Sequence, residues 1–347
     1  MKKEIQVQNV GVDISKETFY AVFTVLLQDR SIKIKGAKKF ANTNKGIQEF
    51  YRWINKFRDI NKKLHITMEA TGVYYEDLAF MMYEKEDVLV HVLLPNMAKK
   101  YFESLNIKTK TDKEDAKILG RMGVERELRV WTLSSKIYRE LRVLTREREQ
   151  IIKERSVIKN QLHALTHSAT PHKKTIIRSK RRIAYLNKQE EAILNELHKM
   201  VEEDEMLSQK IKKITSTPGL GFKSVVGIIA ETSGFVNITN AKQLTSYSGY
   251  DVMIRESGKW VGKPRISKKG NSHIRHLMYM PALTASVHNQ SLKHTYDRIK
   301  EKKEYAKIAS VALQRKLLIL IYTLWKTDSY YIEGYESKKR KRDEDKK

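Results

Sequence analysis

The sequence predicts an α/β domain at the amino terminus, then a long helical hairpin, then a small and mainly helical carboxy-terminal domain. Three observations lead to this fold class. Apolar strand-like runs alternate with amphipathic helices over residues 1–120, and leucine and isoleucine recur at helical spacing over residues 134–215. Residues 216–325 are mixed in pattern and mostly helical. The length of 347 residues is enough to bury a full core in two domains with connectors.

The amino-terminal elements follow from the spacing of apolar residues. Three strand-like runs come first, then a helix with an asparagine cap, then strand, helix and strand, the last ended by Pro95. In order these are NVGVDIS, ETFYAVFTVLL, SIKIKGAKKF, NKGIQEFYRWINKF, LHITMEA, VYYEDLAFMMYEK and VLVHVLL. The order β-β-β-α-β-α-β-α is that of an RNase H-like (RuvC-like) fold, although pattern alone supports only an α/β domain with a mostly buried sheet.

Two long helices with heptad seams are predicted next. The seam residues are Ile137, Leu141, Leu144, Ile151, Ile158, Leu162 and Leu165, then Ile193, Leu197, Met200, Leu207, Ile211 and Ile214. Pro171 breaks the pattern, so we expect an antiparallel hairpin. A bundle packed within the chain and an intermolecular coiled coil are both compatible with seams of this length.

The carboxy-terminal part contains a candidate phosphate-binding turn. STPGLGFKSVVGIIAE resembles a helix-hairpin-helix, in which Gly219 and Gly221 permit a tight turn. IASVALQRKLLILIYTLWK reads as a core helix, and ESKKRKRDEDKK as a disordered charged tail. The predicted domains are 1–130 for the α/β domain, 131–215 for the hairpin, 216–330 for the carboxy-terminal domain and 331–347 for the tail.

The charge predicts a polyanionic partner. Lys and Arg number 68 against 41 Asp and Glu, a net charge of +27, and phosphates release counterions when such a surface neutralises them. Residues 136–182 alone carry 14 Lys or Arg against 4 Glu. No apolar stretch near the roughly 20 residues of a membrane span and no signal peptide are expected, so the cytoplasm is predicted. The absence of cysteine excludes disulfides and thiolate zinc sites.

Four acidic residues are candidate metal ligands. Asp13 and Glu69 each end an apolar strand, while Asp112 and Asp115 share a face at a helix start that Thr111 could cap. Phosphoryl transfer with divalent metals needs carboxylates that converge from different elements. Each residue alone is equally well explained as a turn or a cap, and the conjunction favours a metal site.

Ser257 is a candidate nucleophile because cations surround it. A serine that attacks phosphate needs positive charge for the developing oxyanion and a base for its proton; no base is obvious, and RESGKW also reads as a simple hairpin turn. The candidate nucleic-acid contacts here are Arg255, Lys259, Lys263, Arg265, Lys268, Lys269 and Arg275. Those near the helical hairpin's tip are Lys173, Lys174, Arg178, Arg181 and Arg182.

Several blocks together resemble the DEDD transposases of the insertion-sequence 110 group. They are VGVDISKETFYA, ITMEATGVYYEDLA, KTDKEDAKILG, STPGLG, LTSYSGYDVMIRESG and RISKKGNSHIRHLMY, which extend over residues 9 to about 290. Many relatives have a proline after the SYxG turn and this chain does not. Ser246 and Ser248 are therefore fallback candidates for the nucleophile.

The resemblance implies a full mechanism. Asp13, Glu69, Asp112 and Asp115 would bind Mg²⁺, and Ser257 would form a 5′-phosphoserine link to DNA. A bridge RNA encoded by the element would pair with donor and target DNA. The helical hairpin would join two protomers into a homodimer and would also bind nucleic acid. Homodimers would assemble into a tetramer, in which the acidic site of one protomer meets the serine of another. The localisation implied is the bacterial cytoplasm, with association to the nucleoid during activity.

Two other functions compete with this one. A RuvC-like hydrolytic DNA nuclease needs the carboxylates but not Ser257. A non-catalytic nucleic-acid scaffold needs neither, and its affinity would not depend on metal. The net charge of +27 fits all three functions.

Overall fold

The chain divides into two compact units, Met1–Leu133 and Ser134–Lys347. The computed structural model describes residues 4–109, 111–258, 260–303 and 305–334. The predicted α/β character of the amino-terminal part and the mostly helical carboxy-terminal part are both confirmed. Of the predicted hairpin domain, 131–215, all but the first three residues lie in the second unit together with the carboxy-terminal helices, and most of the predicted tail lies outside the described residues.

The described part of the first unit contains five strands and four helices. In chain order they are β1 (Ile5–Ile14), β2 (Thr18–Leu27), β3 (Ile32–Ala41), α1 (Asn44–Ile54), β4 (Leu64–Glu69), α2 (Glu76–Tyr83), β5 (Val88–Leu93), α3 (Pro95–Ser104) and α4 (Asp112–Glu125). The cap of α1 is Thr43 and not the predicted asparagine, since Thr43 Oγ1 accepts a hydrogen bond of 3.2 Å from the Gly46 amide.

The five strands form one mixed sheet in the order β3-β2-β1-β4-β5. β1 pairs antiparallel with β2, which pairs antiparallel with β3, whereas β1, β4 and β5 run parallel. β1 is central and both of its faces are covered, so Val10 and Val12 are fully buried. This burial explains why its sequence is a continuous apolar run and does not alternate.

Helix α4 lies unusually close to the centre of the sheet. A Cβ atom at Gly11 would lie 2.0 Å from the Gly120 nitrogen and 2.1 Å from the Ala116 oxygen. Asn9, two residues earlier in β1, donates its side-chain amide to the Gly120 oxygen at 2.9 Å and lies against Gly123. Since Asn9 meets the later turns of α4 and Gly11 the earlier ones, the helix runs antiparallel to β1.

The described part of the second unit contains nine helices and four two-residue strands. They are α5 (Lys136–Thr166), α6 (Lys173–Glu202), α7 (Glu205–Thr215), α8 (Phe222–Thr232), α9 (Ala241–Ser248), β6 (Val252–Met253), β7 (Glu256–Ser257), β8 (Trp260–Val261), β9 (Arg265–Ile266), α10 (Ser272–Leu277), α11 (Tyr279–His288), α12 (Gln290–Lys302) and α13 (Ala306–Thr327).

Helices α5 and α6 form the expected antiparallel pair. Leu141, Ile151, Ile193 and Leu197 of the predicted seams are buried in one core with the carboxy-terminal helices. Glu190 of α6 forms ion pairs with two residues of α5, Arg148 at 2.8 Å and Arg155. These seam residues are therefore covered within a single chain, although the resemblance implied a seam between chains.

Helix α13 is an apolar stretch of the length of a membrane span, which the sequence analysis did not expect. Its 22 residues are long and apolar enough to cross a membrane by length and composition alone, and half of the stretch that meets this test is buried. Leu313, Leu317 and Ile321 are fully buried in the core of the second unit. This burial is what a core helix of a folded domain requires, as its sequence predicted.

Candidate active site

Asp13 and Glu69 lie on one face of the sheet, at the same end. Gly11 pairs in register with Thr67, and both approach α4: Gly11 through its backbone and Thr67 through its hydroxyl, which meets Gly123. Side chains alternate along a strand, so Asp13 and Glu69, each two residues further on, return to the α4 face. Both are partly buried.

The first turn of α4 reaches the same end of the sheet because the helix is antiparallel to β1. Thr111 caps it, its Oγ1 accepting a 3.3 Å bond from the Glu114 amide, as predicted. Asp115 is partly buried and Asp112 is exposed. Acidic side chains suit this position since the amino end of a helix carries partial positive charge.

Glu69 and Asp115 line a common cavity of about 630 Å³. Its other lining residues are Pro95, Lys99, Phe102, Glu103, Asn106, Ile107, Thr109 and Ile118. Asp13 and Asp112 do not line it. Among the described residues, no three His, Cys, Asp or Glu side chains stand close enough to share one metal ion. The four predicted ligands thus share one region of the first unit without closing into a single ligand shell.

The donors nevertheless suit a hard divalent cation. Mg²⁺ prefers carboxylate oxygen and is commonly held by one or two carboxylates, with water completing an octahedron. Glu69 and Asp115, which border one cavity, supply such a pair. The chemistry of these donors fits Mg²⁺ and does not fit a thiophilic metal.

Ser257 lies on a narrow β-hairpin in the second unit. We call residues 252–266 the serine hairpin. Its base is the β6–β9 pair, in which Val252 faces Ile266, and its outer part is the β7–β8 pair, in which Ser257 faces Trp260. Gly258 has φ of 56°, a conformation that the turn needs and that glycine adopts without strain. Ser257 itself is exposed.

Most of the predicted cations around Ser257 are free to face solvent. Arg255, Lys263, Arg265, Lys268 and Lys269 are exposed, and Lys259 lies outside the described residues. The predicted tip residues Lys173, Lys174, Arg178, Arg181 and Arg182 are exposed on the first turns of α6.

Arg275 differs from the other predicted contacts because its guanidinium is committed to the backbone. Its Nη1 donates to the carbonyl oxygens of Ser248, Gly270 and Asn271 at 2.8, 3.2 and 3.3 Å. Arg275 therefore holds neighbouring backbone segments together, a role that the charge pattern did not indicate.

The fallback serines differ in accessibility. Ser248 is fully buried, and its hydroxyl donates to the carbonyl oxygens of Leu244 and Thr245 at 2.8 and 3.0 Å. Ser246 is exposed in the last turn of α9. Of the two, only Ser246 has a hydroxyl that a substrate could reach.

An ionic network that sequence reasoning missed joins α5 and α8 to the segment that follows the serine hairpin. Glu231 of α8 is only 2% exposed. Arg146 of α5 binds its carboxylate through two hydrogen bonds of 2.7 and 3.0 Å, and the Asn271 amide donates to it at 2.6 Å. Tyr247 donates to the Glu231 carbonyl at 3.0 Å. The available signal was a lone carboxylate in the otherwise apolar helix VVGIIAET.

The network keeps both charges. Burial opposes the ionisation of Glu231, but the hydrogen bonds from Arg146 and Asn271 outweigh it and hold the pKa of Glu231 below its ordinary value. The hydrogen bond to Glu231 raises the pKa of Arg146. The pair is therefore a charged arginine bound to a charged carboxylate at neutral pH.

Two family models match the chain. A model of the DEDD transposases of IS110 elements, described as "Transposase", matches residues 10–171, and the "Transposase IS116/IS110/IS902 family" model matches residues 211–297. Together they cover most of the chain, including the four predicted carboxylates and Ser257. The chain belongs to the IS116/IS110/IS902 family of transposases. It is accordingly a DNA transposase or recombinase enzyme.

Curated relatives match this transposase over nearly its whole length. The pilin gene-inverting proteins of Moraxella bovis and Moraxella lacunata are each 26% identical over 321 residues, which is 91% of this chain and 94% of theirs.

Similarity to solved structures is slight. The Fowlpox virus resolvase in complex with Holliday junction DNA is 16% identical and has a TM-score of 0.26, with 34% of this chain and 97% of that chain covered. A Ppx/GppA family member from Aquifex aeolicus is 10% identical and has a TM-score of 0.22, with 93% and 92% covered. TM-scores this low establish no common fold.

Proposed function

We propose that this transposase cuts and rejoins DNA through a covalent link to Ser257, with Mg²⁺ held by carboxylates of the first unit. The observation that carries the proposal is the exposed position of Ser257 on a hairpin with Arg255, Lys263 and Arg265. Those cations would offset the charge that develops on phosphate oxygens during attack. Asp13, Glu69, Asp112 and Asp115 are the proposed metal ligands, with Glu69 and Asp115 as the central pair.

The proposed chemistry is a reversible exchange of phosphodiester bonds. Ser257 Oγ attacks phosphorus, the bond from phosphorus to the 3′ oxygen breaks, and the phosphate stays on serine as a 5′-phosphoserine ester. The serine proton ends on the released 3′ hydroxyl. Attack by the 3′ hydroxyl of another strand reverses the step and frees the serine. Mg²⁺, when bound, supplies Lewis-acid stabilisation of phosphate oxygens.

An RNase H-like fold is proposed for the first unit. The support is the strand order β3-β2-β1-β4-β5, in which the first three strands are antiparallel and β4 and β5 run parallel to β1. In this arrangement two of the acidic side chains lie near the ends of parallel strands, and the other two lie in the first turn of α4.

The proposed partners are donor DNA, target DNA and a bridge RNA that chooses both. The net charge of +27 and the exposed lysines and arginines at the start of α6 support a polyanionic ligand. We further propose a homodimer that assembles into a tetramer, in which the acidic unit of one protomer serves the serine of another. The site of action is proposed to be the cytoplasm, at the nucleoid.

A trapping assay tests the covalent step. The protein, RNA from the flanks of its element and labelled donor and target DNA are incubated with Mg²⁺, denatured and separated on a gel. We expect a protein–DNA adduct that Ser257→Ala removes and the matched control Ser246→Ala keeps. Cleaved DNA without an adduct in all three proteins would make the chain a hydrolytic nuclease. Binding without metal-dependent cleavage would make it a scaffold.

A further inference from the structure

The serine hairpin is held at both ends by residues that flank it. The Ser267 amide donates to the Asp251 oxygen at 2.7 Å and the Lys268 amide to the Gly249 oxygen at 3.0 Å, so the two strands leave the body of the unit side by side. The Asn271 amide donates to the Tyr247 oxygen at 2.7 Å. Residues 267–271 are therefore hydrogen-bonded directly to the segment that leads into the hairpin.

Two glycines bring these flanking segments into backbone contact. A Cβ atom at Gly270 would lie 2.5 Å from both the Gly249 nitrogen and the Tyr247 oxygen. Gly249 itself has φ of 73° and ends α9. The contact leaves no room for side chains, so the two flanks behave as one rigid base.

Asn271 joins this base to the body of the unit. Its Oδ1 caps α10 by accepting from the amides of His273 and Ile274 at 2.9 and 3.3 Å, while its Nδ2 donates to Glu231. Glu231 is in turn fixed by Arg146 of the long helix α5. We call Arg146, Glu231 and Asn271 the anchor network. It links α5, α8 and the residues that follow the serine hairpin.

A second contact of the same kind lies beside the anchor network. His273 is hydrogen-bonded to Glu149, one turn beyond Arg146 on α5, and Lys153 binds Glu149 at 2.7 Å. The segment 271–273 is thus tied to α5 directly through His273, and indirectly through Asn271 and Glu231. A partly buried ion pair is a weak source of net stability compared with apolar packing, but its hydrogen-bonded geometry defines relative position well.

We propose that Asn271 and Glu231 are positioning residues for Ser257: through the anchor network they fix the base of the serine hairpin, and hence the place of the nucleophile, relative to α5. The inference rests on the proposed covalent function of Ser257. Neither residue needs to touch DNA. The basic helix α5 and the nucleophile are thereby parts of one rigid arrangement, in which DNA or RNA bound along α5 is held in register with the serine.

The test exchanges donor and acceptor within the anchor network. Asn271→Asp keeps the acceptor that caps α10 but replaces the donor to Glu231 with a second carboxylate, which repels it. Glu231→Gln in the same chain supplies an amide that donates to the new carboxylate, and the formal charge returns to that of the wild type. The matched control is Asn240→Asp, since Asn240 is an exposed cap of α9 whose Oδ1 accepts from the Gln243 amide at 2.9 Å.

Three quantities are measured on the full chain: the single-turnover rate of adduct formation at saturating DNA, the Kd for DNA, and the melting temperature. Misplacement of a reacting group by about 1 Å costs about 100-fold in rate. We expect Asn271→Asp to lower the adduct rate about 10- to 100-fold with unchanged Kd, and the double variant to recover most of that loss. A purely structural role would lower the melting temperature without changing the rate per folded molecule.

The outcomes separate this inference from the proposed function. An adduct rate in Asn271→Asp equal to that of the wild type, or a loss that the double variant does not recover, overturns the positioning role and leaves the covalent function standing. Absence of any adduct in the wild type overturns both. An equal loss of activity in Asn240→Asp would mean that the added negative charge at a helix cap, and not the broken anchor network, is responsible, and would overturn the positioning role.

Discussion

Substitution of Gly11 by alanine should separate α4 from the sheet and, with it, the carboxylates from each other. The new Cβ would lie 2.0 Å from the Gly120 nitrogen, whereas ordinary contact begins at 3.4 Å. Backbone atoms on both sides cannot swing aside, so the helix must move by about 1.4 Å. Asp115 moves with the helix and Glu69 stays with the sheet. We expect Mg²⁺-dependent cleavage to fall about 100-fold and unfolding to become easier by about 1–3 kcal/mol.

The matched control is Gly221→Ala, because a Cβ at Gly221 meets nothing within 4 Å and its φ of −101° suits any residue. Cleavage is measured on labelled DNA over a Mg²⁺ titration, and stability by denaturant unfolding of the same preparations. A Gly11→Ala protein that is folded and cleaves at the wild-type rate would refute the link between the close approach of α4 and the acidic site.

Three further predictions concern single features. Asp115→Asn should abolish cleavage while RNA binding, followed by filter retention, is unchanged; retained cleavage would remove Asp115 from the ligands. Burial lowers the pKa of both His65 and His91, which are joined by a 2.8 Å hydrogen bond, so folding favours their neutral forms. The unfolded chain therefore binds more protons below about pH 6.5, and the free energy of unfolding should fall as pH decreases from there; a flat profile would contradict this. Lys173→Ala should reduce the slope of the logarithm of nucleic-acid affinity against the logarithm of salt concentration by about 1. Lys199→Ala, at the far end of α6, should leave this slope unchanged.

The strands and helices of the first unit were predictable because their signals are local. Apolar runs marked the strands, and Thr111 marked the start of α4, where its hydroxyl indeed caps the helix. The side of the sheet that α4 covers was not predictable. It depends on Gly11, Gly120 and Gly123, and a glycine in a strand or helix does not indicate which backbone it will contact.

The site in the second unit was predictable only in part. The sequence around Ser257 indicated a hairpin turn, which β7 and β8 form. The contact between Glu231 and Asn271 joins residues 40 positions apart and has no periodic signal, so only the fold reveals it. For the same reason the commitment of Arg275 to backbone carbonyls was hidden: its charge is equally suited to phosphate.

The most direct measurement is the chemical identity of the protein–DNA link. After reaction with Mg²⁺, the adduct is digested with nuclease and protease, and the modified peptide is sequenced by mass spectrometry. We expect a nucleotide 5′-phosphate on the hydroxyl of Ser257. A phosphate on any other residue, or cut DNA with no modified peptide, would contradict it.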